Sequence, residues 1–161
     1  MRVLIKLRAL QTSFLDISLP PAQSAKIWDS GTAKFSATTL STVGRAVVSI
    51  LSTAQEQTRN KLVEIESLST SQNEIVAALE KATGKEWKIE KTSMDEQLGH
   101  AGASLEKGEF LEAFYVWIRA WVFSGKEGAR LVKAEEGNQL LGVGGESMEE
   151  VVAKVIRGEE V

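Results

Sequence analysis

Residues 61–91, KLVEIESLSTSQNEIVAALEKATGKEWKIEK, carry the pattern from which the architecture is read. Lys61-Leu-Val-Glu-Ile-Glu66 alternates apolar and charged side chains, the period-two signature of a half-buried strand. That period turns Glu64 and Glu66 to one side, expected to face solvent. Ser71-Gln-Asn-Glu74 has the spacing of a capping box, in which the serine oxygen accepts from the third helical amide and the glutamate reaches back to the cap. Ile75, Ala78, Leu79 and Ala82 follow as one apolar face. Gly84 stands where a helix end favours a left-handed residue. The spacing predicts a helix over 71–83, and Trp87-Lys-Ile-Glu-Lys91 reads as a second short strand.

Towards the C-terminus, Ser93-Met-Asp-Glu96 is a second capping box, opening a helix that runs to Lys107 and stops at Gly108. Gly99 and Gly102 weaken that helix by about 1 kcal/mol each relative to alanine. Residues 110–123 read FLEAFYVWIRAWVF, in which only Glu112 and Arg119 are polar without an aromatic ring. A helix apolar on nearly every side is expected to be buried on nearly every side. It is too short to span a bilayer, so it is a central core helix, a wall of a ligand cleft or an oligomer contact. A loop with Gly125 and Gly128 and a short helix over 135–142 follow. A third capping box, Ser147-Met-Glu-Glu150, leads into an amphipathic helix bearing Val151, Val152, Val155 and Ile156.

Towards the N-terminus, Leu40, Val43, Val47, Ile50 and Leu51 form a helical stripe over 39–51, with Thr39 as its N-cap. Lys26–Asp29 and Ala33–Ser36 flank Ser30-Gly31-Thr32, which predicts a hairpin anchored by Trp28 and Phe35. Pro20-Pro21 breaks any helix and marks an extended connection. The order of elements is α+β: a small sheet with several helices.

The chain has 161 residues, with 43% hydrophobic and 25% charged, a composition suited to one globular domain with its own core. A net charge of −3 does not favour nucleic acid, which needs a basic face. Without cysteine there is no disulfide, thiolate nucleophile or thiolate metal site. No apolar run reaches the ~20 residues of a membrane helix. The opening MRVLIKLRALQTSFLD holds Arg2, Lys6 and Arg8 before its first acid, Asp16. A secretory signal would need a longer apolar stretch and a small-residue cleavage site, so the protein is read as cytoplasmic.

Few residues carry chemistry. Gly142-Val-Gly144-Gly145 precedes a helix but lacks the third glycine of a dinucleotide loop, Ser147 standing there. Glu149 and Glu150 would repel a phosphate in the first turn, so a turn and a capped helix are expected. His100, the one histidine, supports neither a triad nor a three-histidine metal site. Glu112 either pairs across the helix or points outward. No acid/base dyad is visible, and no catalytic, cofactor-binding or metal-ligating residue is assigned. Phe110, Phe114, Trp117 and Trp121 fall on one helical face. They are either core or, with Tyr115 as a polar group, the wall of an apolar pocket for a planar ligand.

Several segments together resemble the carboxy-terminal half of NmrA-like proteins, particularly the fungal isoflavone-reductase-like branch. The residues that carry this are Phe14-Leu15-Asp16, Asp29-Ser-Gly-Thr-Ala-Lys-Phe-Ser-Ala-Thr-Thr-Leu-Ser-Thr-Val-Gly-Arg45, Ser71–Glu74 with Ala77–Gly84 and Trp87, Lys107–Phe110, and Asn138–Gly142. The resemblance runs from about Thr12 to the end. It implies an atypical short-chain dehydrogenase with a Rossmann domain for NADP(H) or NAD(H) and a smaller region covering the substrate. The Gly-rich turn after the first strand and the active-site lysine of the reductases have no counterpart here, since only MRVLIKLRALQ precedes Thr12. The resemblance thus implies the substrate-side portion of a truncated Rossmann-type protein, not competent for catalysis alone. Residues 1–25 would be an irregular remnant of the nucleotide-binding half, and 26–161 the substrate-side region. The expected ligand is a small aromatic substrate at Phe110, Phe114, Tyr115, Trp117 and Trp121. The alternative is a non-catalytic regulatory or interaction module using helix 110–123. Apolar surface freed of its Rossmann partner would favour self-association or a protein partner.

Overall fold

A computed structural model describes residues 5–6, 13–126 and 129–159. The remainder of the N-terminal segment, and Gly128 of the loop expected after 123, lie outside the described residues. Four helices begin where the caps place them. Ser71 and Ser147 both form complete capping boxes, opening α3 (Gln72–Thr83) and α7 (Met148–Ile156). Ser93 accepts from Glu96 N–H at the start of α4 (Met94–Glu106). Thr39 accepts from Thr42 N–H at the start of α1 (Leu40–Ser52). Gly84 closes α3 at φ 66° and Gly142 closes α6 (Ala134–Leu141) at φ 63°, the left-handed conformation that glycine adopts without a Cβ clash. The remaining helices are α2 (Gln55–Thr58) and α5 (Phe110–Phe123).

The strands are β1 (Ile5–Lys6), β2 (Ile17–Ser18), β3 (Ser24–Trp28), β4 (Phe35–Thr38), β5 (Leu68–Thr70) and β6 (Lys88–Thr92). They form two three-stranded sheets, β1-β4-β5 and β2-β3-β6. β4 runs parallel to β1 and antiparallel to β5. β3 runs antiparallel to β2 and parallel to β6. The α+β class therefore holds, with two small sheets in place of one.

The hairpin expected around Gly31 does not form, because β3 and β4 belong to different sheets. Trp28 and Phe35 are both buried as anchors, but each packs on Phe123 of α5, at ring-centroid distances of 5.5 and 5.9 Å. A third element satisfies both rings, so the chain turns at Asp29–Gly31 and changes sheet. The expected boundary between 25 and 26 falls inside β3, and Leu15 and Ile17 lie in the main core.

Residues 61–66 are not a strand, and both of their sides meet protein: Val63 and Ile65 pack against Ala46, Ala54 and Leu141 as an apolar side should, but the glutamate side is covered too. Glu64 is buried while Leu62 is 80% exposed. The backbone of this extended segment bonds to side chains instead of to a ladder. Asn138 of α6 accepts from Glu66 N–H at 3.2 Å and donates to Glu66 O at 2.8 Å. Glu64 Oε2 accepts from Lys133 N–H at 3.2 Å, so the carboxylate is turned towards the start of α6. Period-two sequence alone does not say which side meets protein; here the polar side finds donors.

The main core joins the β2-β3-β6 sheet, β4, α3, α5 and α7 through residues such as Ile17, Ile27, Ile75, Leu79, Val122 and Val152. Gln72, 1% exposed, secures it: its amide oxygen accepts from Trp28 N–H at 2.9 Å and its NH2 group donates to Leu15 O and Lys26 O. A smaller core forms around Ala46, Ala54 and Leu141. On α1 the inward residues are Thr42 and Ala46, while Val47 and Leu51 of the expected stripe point outward.

Candidate functional site

The site is built where residues 13–16 meet α5. Asp16 has φ 57°, in the left-handed region, and its carboxylate reaches Trp28 of β3. Its backbone oxygen accepts from Lys26 N–H at 2.8 Å. Its carboxylate accepts from Trp28 Nε1–H at 2.7 Å and from the guanidinium of Arg119. Both side chains of the Asp16–Arg119 pair are about seven-eighths covered, so they are screened far less than surface ions. Arg119 also lies 3.9 Å from Glu112, the pairing foreseen as one of two outcomes for that residue.

Beside this pair, Phe14 meets Tyr115 edge to face at 6.0 Å, and Phe114 lies 6.3 Å from Tyr115. Such arrangements suit the ring quadrupoles. The three rings form a platform on the open side of α5, with Phe110 on the preceding turn. The expectation that α5 is buried nearly all round fails here: Phe110 is 70% exposed, and Phe114, Tyr115 and Trp117 are exposed too. Trp121 alone of the five candidates turns inward, packing against the main core. The reason is steric. α5 buries Ala113, Val116 and Ala120, a small-residue face along which α4 lies closely, with Ala101 fully covered. Along its first three turns the small residues face protein and the rings of Phe110, Phe114, Tyr115 and Trp117 face out, whereas Trp121 and Phe123 near its end turn into the core. Such a platform, with the Tyr115 hydroxyl and Arg119 at its margin, can stack a planar ring and hold a polar substituent.

Phe14, Asp16 and Arg119 were not read as site residues from the sequence. Phe14-Leu-Asp16 appeared only among the residues of a family resemblance. Asp16 and Arg119 are 103 positions apart, and no local pattern joins them.

The glycine turn before α7 tests whether a dinucleotide fits. Gly142, Gly144 and Gly145 are all left-handed, and Asn138 crowds Gly144 so that an added Cβ would lie 2.3 Å from its amide nitrogen. The helix end is filled by its own side chains: Glu150 accepts from Ser147 N–H and Ser147 Oγ from Glu150 N–H. Just before it, Glu146 accepts from the hydroxyls of Thr39 at 2.6 Å and Thr42 at 3.0 Å. Burial pushes the Glu146 carboxyl up, but the hydroxyls of Ser67, Thr39 and Thr42 outweigh this and hold it below its ordinary value. A pyrophosphate would meet carboxylates at 146, 149 and 150, and the amides of Ser147 and Glu150 are already engaged. This turn does not fit a nicotinamide dinucleotide, and the turn and capped helix expected from the sequence are present. Among the described residues, no cluster of three His, Asp or Glu side chains could hold a metal, and none of the helices is long and apolar enough to cross a membrane. His100 is exposed, 3.9 Å from Glu96.

No protein-family profile matches the chain. It is 38% identical over 145 residues to the oxidoreductase poxI of Penicillium oxalicum, covering 83% of this chain and 43% of that protein. It is 32% identical over 146 residues to the oxidoreductase aprR of Aspergillus flavus, covering 91% and 48%. The crystal structure of a nucleoside-diphosphate-sugar epimerase from Staphylococcus aureus superposes with a TM-score of 0.60 at 17% identity, covering 93% of this chain and 50% of that one. The chain shares the fold of that half of the epimerase, as a small α+β arrangement. It is related in sequence to fungal oxidoreductases, and it spans about half the length of the curated relatives it matches.

Proposed function

We propose that this chain is the substrate-side portion of an NmrA-like, isoflavone-reductase-like oxidoreductase acting in the cytoplasm. In this reading the α5 platform of Phe114, Tyr115 and Phe14 holds a small aromatic substrate. NADP(H) or NAD(H) and the reacting base are held by residues outside the chain. The observation that carries the reading is the match to two oxidoreductases over 145 and 146 residues. Two features of the molecule support the division of labour. The glycine turn at 142–145 is closed to a pyrophosphate, and α5 offers rings to solvent beside a charged pair.

Calorimetric titration of the purified chain tests both halves of the proposal. An isoflavone is expected to bind saturably and to weaken about tenfold, or ~1.4 kcal/mol, in Phe114→Ala and Tyr115→Ala. NADPH is expected to give no saturable heat in the micromolar range. Micromolar NADPH affinity would overturn the division of labour, and isoflavone binding indifferent to both substitutions would remove α5 from the site.

A second reading, a non-catalytic interaction module, is favoured by one observation: Phe110, Leu111, Phe114 and Trp117 are exposed together on a single helix. Sedimentation of the chain beside Trp117→Asp separates it from the first. Concentration-dependent self-association of the native chain, abolished in the variant, with no isoflavone binding by either, would favour this second reading.

A further inference from the structure

The register of the β2-β3-β6 sheet places Ser18, Ser24 and Lys88 in one cross-strand row on a single face, with Lys26 and Glu90 in the next row and Trp28 and Thr92 in the last. α4 and α5 cover only the last row, through Phe123 on Trp28 and Gln97 on Thr92. The upper rows remain open as a cleft of about 410 Å³ that extends to Ser13 and Asp16. That volume lies within the range of small-molecule sites, but its lining is polar where such sites are mostly apolar. None of the aromatic residues of α5 lines it.

We propose that this cleft is a second ligand site, for a small polyhydroxylated molecule carrying one anionic group. The charges of the lining decide the anion. Lys26 is paired with Glu90 at 3.6 Å, and Asp16 with Arg119. Lys88, exposed on the same face, makes no ion pair among the described residues, so its ammonium is available to an anion beside the hydroxyls. A single carboxylate or phosphate would neutralise it. The hydroxyls decide the rest: Ser13 and Ser18 lie 3.4 Å apart, and Ser24 neighbours Ser18 across the ladder. Each hydroxyl can both donate and accept, which matches a polyol.

The backbone agrees. Ser13 at φ 54° and Asp16 at φ 57° line the cleft, and Gln23 at φ 44° stands between its lining residues Ala22 and Ser24; they are three of the five non-glycine residues with positive φ among those described. Uncommon backbone of this kind collects at ligand-binding surfaces, where the fold holds it in place. The inference stands apart from the aromatic-substrate reading and survives if that one fails.

The test is a set of 15N–1H NMR titrations of the full chain with gluconate, glucose 6-phosphate and glucose. Saturable shifts are expected at Ser13, Ser18, Ser24 and Lys88 with at least one of the two anions, and the anion that binds tells carboxylate from phosphate. Glucose should bind about tenfold more weakly, and added salt should weaken the anion. Lys88→Glu should weaken binding by about tenfold or more while keeping a folded spectrum, whereas Lys88→Arg should stay within about threefold. The proposal is overturned if neither anion moves these amides saturably, or if Lys88→Glu binds as tightly as the native chain.

Discussion

Gly137→Ala is the substitution on which helix propensity and tertiary packing disagree most sharply. Gly137 lies inside α6, where propensity alone credits alanine with about 1 kcal/mol. The structure reverses the sign. A Cβ at 137 would lie 1.9 Å from Glu64 O and 3.0 Å from the carbonyl carbon of Glu64, and the backbone cannot yield as a flexible side chain would. Either α6 or residues 61–66 must retreat by more than 1 Å, roughly the gap to ordinary van der Waals contact. Overpacking of this kind costs ~1–3 kcal/mol. The retreat would also stretch the paired bonds between Asn138 and Glu66 and the bond from Lys133 N–H to Glu64, at about 1 kcal/mol each. Setting the helix gain against these losses leaves a net destabilisation of about 2–4 kcal/mol. Gly99→Ala is the control: it lies in α4 with nothing within 4 Å of its added Cβ, and should stabilise by ~0.5–1 kcal/mol. Urea unfolding followed by tryptophan fluorescence measures both. Should Gly137→Ala match or exceed the native stability, the close contact between α6 and residues 61–66 is wrong.

Glu146→Gln should reduce stability by ~1–3 kcal/mol at neutral pH, because a carboxylate accepting two hydroxyl bonds is replaced by a weaker acceptor. Since the folded state holds this carboxyl below its ordinary value, its contribution is complete above the unfolded value and fades as pH falls. The stability curves of the native chain and the Glu146→Gln variant should therefore converge as pH falls below the ordinary glutamate value, as read by urea midpoints. Asp16→Ala strands both Arg119 and the Trp28 indole N–H and should cost ~2–4 kcal/mol in the same assay; a loss under ~0.5 kcal/mol would mean the pair is not formed. Phe110→Ser should change stability by under ~1 kcal/mol, whereas Trp28→Ala should cost ~3–5 kcal/mol, since one ring is in solvent and the other is 2% exposed.

What the sequence reveals follows from the range of each interaction. The caps at Ser71, Ser147 and Thr39 and the left-handed end at Gly84 bind partners within a few residues, so the pattern states them outright. The supposed strand at 61–66 misleads because its partners are far away. Glu64 is buried towards Lys133, and Glu66 is held by Asn138, 72 positions on. The pairing of Asp16 with Arg119 and the contact of Phe14 with Tyr115 join segments about a hundred positions apart, and neither leaves a local periodicity. The aromatic spacing on α5 was legible, but its orientation was not. Both faces of α5 are apolar, and only the packed structure turns Ala113, Val116 and Ala120 inward and Phe110, Phe114 and Trp117 outward.

The amino-acid order alone determined the capped helices at 40, 72, 94 and 148 and the α+β class, because the caps depend on short-range hydrogen bonding and local backbone freedom. Tertiary structure decided the split into two sheets, the outward face of α5 and the polar cleft beside Lys88. These depend on which surfaces exclude water from one another, a choice made only when segments remote in sequence compete for the same neighbour.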